Sequence, residues 1–350
     1  MDKNDWNLNS YDYILPKKLI AQYPSPKRDQ SRMLLIERKS GKILNKKFSD
    51  IVSILPNSSC IVVNNTKVLP VRLNGKRNTG GKVEALLIEE INVGEWTAML
   101  SNSRRIKKGE KIDFCSGELS AFAKNKLDNG QWELKFENSK HLKGRLEKFG
   151  LPPLPPYIER NEINDKLNNE DSNRYQTCFA SEPGAIAAPT AGLHFTHEIM
   201  SKIKKKGIEI LEVTLHVGLG TFKPILIQDI RKHKMHSEFF SVSSQTIEKI
   251  KYFKENNKKI FSIGTTSMRV LETLGQKNFK TKSGWTDIFI HAPYKFKITD
   301  GLLTNFHLPK STLIILVSAF CGRKFLLNSY KKAIVENYRF FSYGDCMMII

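Results

Sequence analysis

The sequence predicts an α/β (α+β) large domain built on a mixed sheet, with a small antiparallel β domain, a sheet or a barrel, inserted into it. Three observations carry that prediction. Helix-like and strand-like segments alternate at both ends of the chain, as an open sheet with packed helices requires. Between about Leu69 and Gly150 the pattern changes to short alternating runs parted by turn residues, "VEALLIEEINVGEWTAML", "RRIKKGEKIDF" and "ELSAFAKNKLDNGQWELKF". At 350 residues the chain is long enough for about two such domains. Residues 1–68 and 151–350 are thereby assigned to a discontinuous large domain and residues 69–150 to the insert.

Taken in order, "PKKLIAQYPSP" reads as a short amphipathic helix stopped by its prolines, "RMLLIERKSGKI" as a hairpin turning at Ser40 and Gly41, and "SSCIVVNNT" as a buried strand. In the insert, Asp128, Asn129 and Gly130 mark a tight turn between antiparallel strands. "LPPLPPYIERN" forms a proline-stiffened exit, and "NDKLNNEDSN" is polar enough to be a mobile surface loop. Thr196 is a suitable N-cap for "HEIMSKIKKK", with Glu198 in the first turn and Gly207 beyond the last. "IEILEVTLHVG" follows as a strand, "SQTIEKIKYFKEN" as a helix, "KKIFSIG" as a strand and "TTSMRVLETL" as a helix.

Composition narrows the function classes. Lys and Arg number 56 against 35 Asp and Glu, a formal net charge of +21. A polyanion such as RNA is the natural partner of that excess, because neutralising its phosphates releases counterions. A bias toward Lys, Asn and Ile from AT-rich coding produces the same signal without any partner. The opening residues hold no apolar signal region, and the longest apolar run, Leu313 to Phe320, is far shorter than a bilayer span, so a cytoplasmic protein with no membrane partner is expected. Five cysteines scattered without a CxxC pair argue against a disulfide framework or a zinc ribbon.

Chemistry is expected where strands run into loops. "AIAAPTAGLHF" is small and apolar, which lets backbone approach a ligand, and Pro189 and Gly192 fix its turn. His194, which follows, is either a proton-transfer group or a hydrogen-bonded buried histidine. "VTLHVGLGTFKP" sets Gly218 and Gly220 directly after a strand, a weak nucleotide signal because the third glycine is missing and Pro224 prevents an immediate helix. "SIGTTSMRVLE" ends a strand at Gly264 and opens a helix with Thr265, Thr266 and Ser267, with Arg269 one turn on. Such hydroxyls, free backbone N–H groups and a guanidinium suit an anion, or else form an ordinary cap beside a surface arginine. In the C-terminal stretch His291, Asp300, Asn305, His307 and Asp345 lie among apolar and aromatic residues, the usual makeup of an enzyme pocket. "HKMHSE" has metal-ligand residue types but not the helical H-E-x-x-H spacing, so no metal site is assigned. P-loop and G-x-S-x-G motifs are absent from the sequence, which disfavours NTP hydrolysis and serine esterase chemistry.

Six stretches in fixed order, "YQTCFASEPGAIAAPTAGLHFT", "VTLHVGLGTF", "HKMHSE", "IGTTSMRVLE", "DGLLTNFHLPKSTL" and "RFFSYGDCMMI", give the chain a resemblance to the S-adenosylmethionine:tRNA ribosyltransferase-isomerase family of queuosine biosynthesis. "YDYILPKKLIAQYPSPKRDQSRML", "VVNNTKVLPVRL" and "GGKVEALLIE" extend the likeness over nearly the whole chain. "NNTK" at 64–67 stands where the family pattern has N-D-T-R, and Cys346 and Met347 replace the commoner Ala and Leu.

The resemblance implies a large α/β domain with an inserted small β-barrel, and two substrates: S-adenosylmethionine as ribosyl donor, and tRNA carrying 7-aminomethyl-7-deazaguanine at the wobble position. The implied product is epoxyqueuosine in tRNA, with adenine and methionine released, no tightly bound cofactor or metal, and no obligate protein partner. Within that expectation His194, His216 and Asp345 are the candidates for proton transfer, although His216 sits in an alternating strand that suits a structural role. Thr190, Gly192, Gly218, Gly220 and Thr221 are expected around the donor. Thr265, Thr266, Ser267 and Arg269 are expected on its carboxylate or a tRNA phosphate. Arg104, Arg105, Lys107 and Lys108 in the insert are expected on the RNA backbone, or form a solvated charged turn. Two other readings, a non-catalytic RNA-binding protein and an S-adenosylmethionine-dependent methyltransferase, differ in what becomes of the small molecule.

Overall fold

The structure is a computed structural model that describes residues 3–160, 165–218, 220 and 225–350. The chain divides into two compact units, one of residues 3–67, 155–160 and 176–350, the other of residues 68–154 and 165–175.

In the first unit nine strands form one mixed sheet. They are β1 (Arg32–Glu37), β2 (Lys42–Lys47), β3 (Cys60–Asn64), β12 (Glu209–Leu215), β13 (Glu238–Ser241), β14 (Ile260–Ile263), β15 (Ser283–Thr286), β16 (Gly301–Asn305) and β17 (Cys346–Ile349). Their order is β15-β13-β12-β3-β14-β16-β17-β1-β2. The central run β12, β3, β14 and β16 is parallel, β17 enters antiparallel to β16, and β17 then pairs in parallel with β1. A short pair, β4 (Thr66–Val68) with β11 (Glu182–Ala185), lies apart from the sheet.

The buried strands are continuous apolar runs because both sheet faces are covered. Met33 and Leu35 of β1 pack with Cys346 and Met348 of β17 on one face, together with Ile199 and Ile203 of α4 (His197–Lys205). Leu34, Ile36, Met347 and Ile349 alternate to the other face, against α7 (Thr312–Cys321) and α8 (Arg323–Val335). Helices α5 (Ser244–Glu255) and α6 (Gly264–Gln276) pack a further cluster against β3 and β12. The cap read from sequence at Thr196 is in place, its hydroxyl accepting from Ile199 N at 3.2 Å, and the structure adds Ser243, which caps α5 through Thr246 N at 3.0 Å. No single helix among the described residues is long and apolar enough to cross a bilayer, and α7 and α8 are bent by 112° at their junction.

The second unit is a closed antiparallel barrel of six strands, β5 (Arg72–Arg77), β6 (Lys82–Asn92), β7 (Glu95–Leu100), β8 (Lys111–Phe114), β9 (Leu119–Lys126) and β10 (Trp132–Phe136), ordered β10-β7-β6-β5-β8-β9 with β10 also paired to β9. Inward positions alternate with outward ones, and small Ala85, Ala98, Ala121 and Ala123 leave room for Trp132 and Phe114 in the interior. The inserted barrel expected from the family likeness is therefore present. It also carries α2 (Leu142–Phe149).

Two local expectations are corrected. "NDKLNNEDSN" is not a loop where it is described: α3 (Asp165–Arg174) runs through it, tied down by buried Asp171 and Tyr175, which share one face and a backbone hydrogen bond of 2.8 Å. "PKKLIAQYPSP" is not an amphipathic helix. After a single 3-10 turn (Lys17–Leu19) the chain extends, and Leu19 O and Ala21 N bond the backbone of Phe340, so tertiary pairing overrides the local pattern.

Gly301 shows how tightly the central sheet is packed. A Cβ there would lie 2.3 Å from Phe261 Cδ1 and 3.2 Å from Ile349 O. Gly301→Ala should therefore lower unfolding free energy by about 1–3 kcal/mol through overpacking, read as a fall in urea midpoint at unchanged slope; an unchanged midpoint would mean that Phe261 repacks freely.

Candidate active site

A cleft enclosing about 700 Å³, its open mouth included, lies in the first unit where the parallel strands end. Val217 follows β12, Gly264 to Thr266 follow β14, and Thr304 to Leu308 continue from β16. This is the place where open α/β sheets bind ligands, because loops diverge there and helix N-termini converge. Ala187 to Ala191 close one wall, and Tyr157, Phe341 and Ser342 close another.

Each wall has a local cause. Gly264 turns strand into helix with a φ of +88°, a conformation that any Cβ would strain. Helix α6 has no side-chain cap at Ile263, so the cleft meets its uncapped first turn. Ala187, Ala188 and Ala191 are buried yet small, and the segment they belong to is a pocket wall, not a linker. The aromatic side of the cleft is held by hydrogen bonds: Tyr157 OH meets Ser342 Oγ at 2.7 Å, and Asn305 Nδ2 donates to Phe341 O at 2.9 Å.

Electrically the cleft is neutral. Its lining contains no Asp, Glu, Lys or Arg among the described residues. Its one imidazole, His307, meets Thr304 Oγ1 at 2.8 Å through Nε2, and burial pushes its pKa down to about 3, so the ring is uncharged near neutrality.

The residues singled out from sequence divide. Thr190, Thr265 and Thr266 line the cleft. Gly192 lies behind the wall, where a Cβ would meet Phe179 at 2.6 Å and Thr177 at 2.8 Å, so its role is close packing. Gly218 donates its N–H to Glu238 at 3.0 Å, Gly220 packs against the His236 ring, and neither lines the cleft. Thr221 lies outside the described residues. Ser267 is fully buried with its hydroxyl on Ile263 O at 2.9 Å, and Arg269 is buried in an ion pair with Glu238. That pair also absorbs the acidic residue of "HKMHSE". The expectation that Ser267 and Arg269 reach an anionic ligand in this cleft is corrected accordingly: burial directs both inward.

None of the proton-transfer candidates lines the cleft. His216 lies over Gly184, with Nδ1 2.8 Å from Thr66 Oγ1, and burial lowers its pKa. Asp345 is 2 % exposed, and its carboxylate accepts from Arg32 N at 3.0 Å and Arg339 N at 2.8 Å. It clamps the segment before β17. His194 is buried, with Nδ1 3.0 Å from Ser31 Oγ. Burial drives its pKa down to about 4; the Asn305 amide opposes that shift, and the Arg339 and Arg28 charges add to it. Although Asn305 is near enough to favour the charged ring, neither His194 Nε2 nor Asn305 Oδ1 makes a hydrogen bond of ordinary geometry. Asn305 and His307 are the members of the C-terminal polar set that line the cleft, and sequence alone could not rank them above His291, Asp300 or Asp345.

The missing carboxylate of "NNTK" has a local explanation. Asn65 donates to Glu212 at 3.1 Å and accepts from Thr214 Oγ1 at 2.7 Å. An aspartate there would set two carboxylates against each other. In the barrel, Arg104, Arg105, Lys107 and Lys108 are exposed on a turn anchored by Glu110, which accepts from Lys107 N at 2.9 Å and from Arg77 Nε at 2.7 Å.

The buried rings make stability depend on pH. His194 and His307 stay neutral in the folded chain, whereas free imidazoles protonate below about pH 6.5 once the chain unfolds. The unfolded state then binds more protons, so stability is complete above that pH and is lost as pH falls toward the folded values. Melting temperature should drop between about pH 6.5 and 5, and His194→Gln should flatten that slope; a wild-type melting temperature constant across the window would refute the neutral burial of both rings.

Comparison with known proteins supplies the family. The family model described as queuosine biosynthesis protein matches residues 8–349. A relative from Sulfurihydrogenibium sp. (strain YO3AOP1), named S-adenosylmethionine:tRNA ribosyltransferase-isomerase, is 48% identical over 344 residues, covering 98% of this chain and 99% of its own. A protein of the same name from Staphylococcus epidermidis (strain ATCC 12228 / FDA PCI 1200) is 45% identical over 347 residues, covering 98% of this chain and 100% of its own. The crystal structure of S-adenosylmethionine tRNA ribosyltransferase from Thermotoga maritima matches with a TM-score of 0.55 at 34% identity, covering 97% of this chain and 100% of that one. With the sheet, the barrel and the motif-lined cleft all in place, this chain belongs to the queuosine biosynthesis protein family, as a transferase and isomerase of the S-adenosylmethionine:tRNA ribosyltransferase-isomerase kind.

Proposed function

We propose that this enzyme transfers and isomerises the ribosyl moiety of S-adenosylmethionine onto 7-aminomethyl-7-deazaguanine at the wobble position of tRNA, giving epoxyqueuosine-tRNA and releasing adenine and methionine. The observation that carries the reading is the cleft itself: motif segments far apart in sequence line one charge-free pocket at the strand ends. A net charge of +21 and the exposed basic turn of the barrel support a polyanionic partner. No tightly bound cofactor enters the reaction, and a cytoplasmic setting follows from a tRNA substrate.

The chemistry asks for three things. A base removes a C5′ proton, already acidified by the adjacent sulfonium. Adenine leaves as the ribosyl ring opens, more readily when a donor hydrogen-bonds it. The aminomethyl group, as the neutral amine, attacks the ribosyl carbon from near-attack distance, and epoxide closure expels methionine. We take His307, which lines the cleft, as a hydrogen-bonding group for its occupant, and its neutrality suits a site next to a sulfonium cation. His194 and Asp345 act as positioning residues, the first beneath Asn305 and the second through the Phe341–Ser342 segment.

The test is incubation with S-adenosylmethionine and tRNA bearing the aminomethyl-deazaguanine, followed by chromatography of the small molecules. Adenine and methionine should appear together and only with the modified tRNA. Intact donor beside salt-sensitive tRNA binding would favour a non-catalytic RNA-binding protein, and release of S-adenosylhomocysteine a methyltransferase. His307→Gln should cut turnover by about tenfold with melting temperature within a few degrees of wild type; undiminished turnover would remove His307 from the mechanism.

A further inference from the structure

One edge of the nine-stranded sheet carries a row of rings that belongs neither to the cleft lining nor to the core clusters. β15 is the edge strand, and its Trp285 is 62 % exposed. Phe239 stands directly opposite on β13. His216, just after β12, donates its N–H to Phe239 O at 3.0 Å and extends the row by one more strand. Strand alternation turns these three side chains to one face, while Leu215, Phe240 and Thr286 turn to the other, where they are buried. The rings touch in series. His216 lies 5.8 Å from Phe239 at an interplanar angle of 20°, and Phe239 lies 5.9 Å from Trp285 at 74°. His216, beneath Gly184 of β11, and Phe239 are half-buried, whereas the indole at the end of the row is open.

A single exposed apolar residue is ordinary, but three rings in contact across neighbouring strands, ending in an open indole, form a platform. Unpaired RNA bases stack on such platforms, because every base has a π-face and stacking asks for no particular hydrogen-bond pattern. The Phe239–Trp285 corner offers a flat ring the face of one aromatic and the edge of another. Position narrows the occupant further. Val217, the residue after His216, lines the cleft, and two strand spacings, about 10 Å, carry the row from there to Trp285. An RNA that delivers one base into the cleft brings its neighbouring nucleotides within reach of the row. The charge alongside suits a polyanion: Lys234 before β13 and Lys280 and Lys282 before β15 are exposed, against Asp287 after β15.

We propose that Trp285, backed by Phe239, is a stacking site for an unpaired base of the bound RNA, outside the cleft and flanking the nucleotide that enters it. The inference rests on the tRNA reading above for its occupant. Stacking there holds a single-stranded loop in place without touching the reacting atoms, so Trp285 is a positioning residue. His216 contributes only as the ring behind Phe239. A paired RNA keeps its base faces covered and gains nothing from the site.

The experiment measures binding of two RNAs to the full chain, an unmodified anticodon stem-loop and a fully paired duplex of the same length and charge, over a range of salt. Wild type is compared with Trp285→Leu and Trp285→Phe. Trp285→Leu should weaken stem-loop binding about tenfold and leave duplex binding unchanged. Its salt dependence should match wild type, since no phosphate contact is removed. Trp285→Phe should recover most of the loss. Indole emission should be quenched when the stem-loop is added to wild type and less so in Trp285→Phe, a readout that does not depend on the leucine variant folding. In turnover, Trp285→Leu should raise the KM for the modified tRNA about tenfold at unchanged kcat and unchanged KM for the donor. Equal stem-loop affinity in all three proteins, or an equal fall for stem-loop and duplex, overturns the stacking site. So does a wild-type dimer that Trp285→Leu disperses without a change in RNA affinity, which assigns the sheet edge to a second copy of this chain. Stem-loop affinity indifferent to Trp285 beside normal adenine release sinks the site and leaves the reaction standing. Affinity that depends on Trp285 in a chain that releases no adenine leaves the site standing without the reaction.

Discussion

The Asp345 carboxylate is the contact on which the site depends. It is buried, and it accepts from the backbone of Arg32 at the start of β1 and of Arg339 before β17. Those two bonds fix where the last strand enters between β16 and β1, and so where the preceding turn lies. Phe341 and Ser342, on that turn, form a wall of the cleft. Gly344 shows how little slack the turn has, since a Cβ there would lie 2.4 Å from Arg339 O and 2.6 Å from Phe340 O. A buried carboxylate satisfied by backbone N–H groups is a strong device for holding a loop, because removing it leaves unpaired donors in a low-dielectric setting.

From that constraint follows an unusual division of polar groups. Charges that could have faced the ligand are turned into the protein: Arg269 pairs with Glu238, and Asp345 caps backbone. What remains at the cleft is neutral. Burial reinforces this by lowering the proton affinity of His307 in the wall and of His194 behind it. A cleft of this kind presents neither a cation to repel a positively charged occupant nor a fixed carboxylate to hold an amine protonated.

The barrel shows the complementary pattern. Its interior is closed by alternating small and aromatic side chains. Its exposed turn keeps Arg104, Arg105, Lys107 and Lys108 at the surface while Glu110 beneath them takes up backbone and the Arg77 side chain. A single inward carboxylate therefore orders a loop that holds these four cations at the surface. Long-range attraction of a polyanion needs no more than this, and it is screened by salt as the burial-dependent features of the cleft are not.

The sequence by itself determined the alternation of helix and strand, the change of character in the insert, the cap at Thr196 and the family likeness. Each is written in neighbouring residues or in ordered motifs. It misread "PKKLIAQYPSP" and "NDKLNNEDSN" because Ile20 and Ala21 meet the Phe340 region, and Asp171 and Tyr175 are buried, only after distant packing. Residue type identified His194, His216, Asp345, Ser267 and Arg269 as chemically capable. Whether such a group faces a ligand or the interior was decided by tertiary structure alone, since it depends on strand order and register between segments far apart in the chain. Thr266 and Asn305 line the cleft for the same reason: parallel strands bring their ends together, and no local pattern records which residues then meet there.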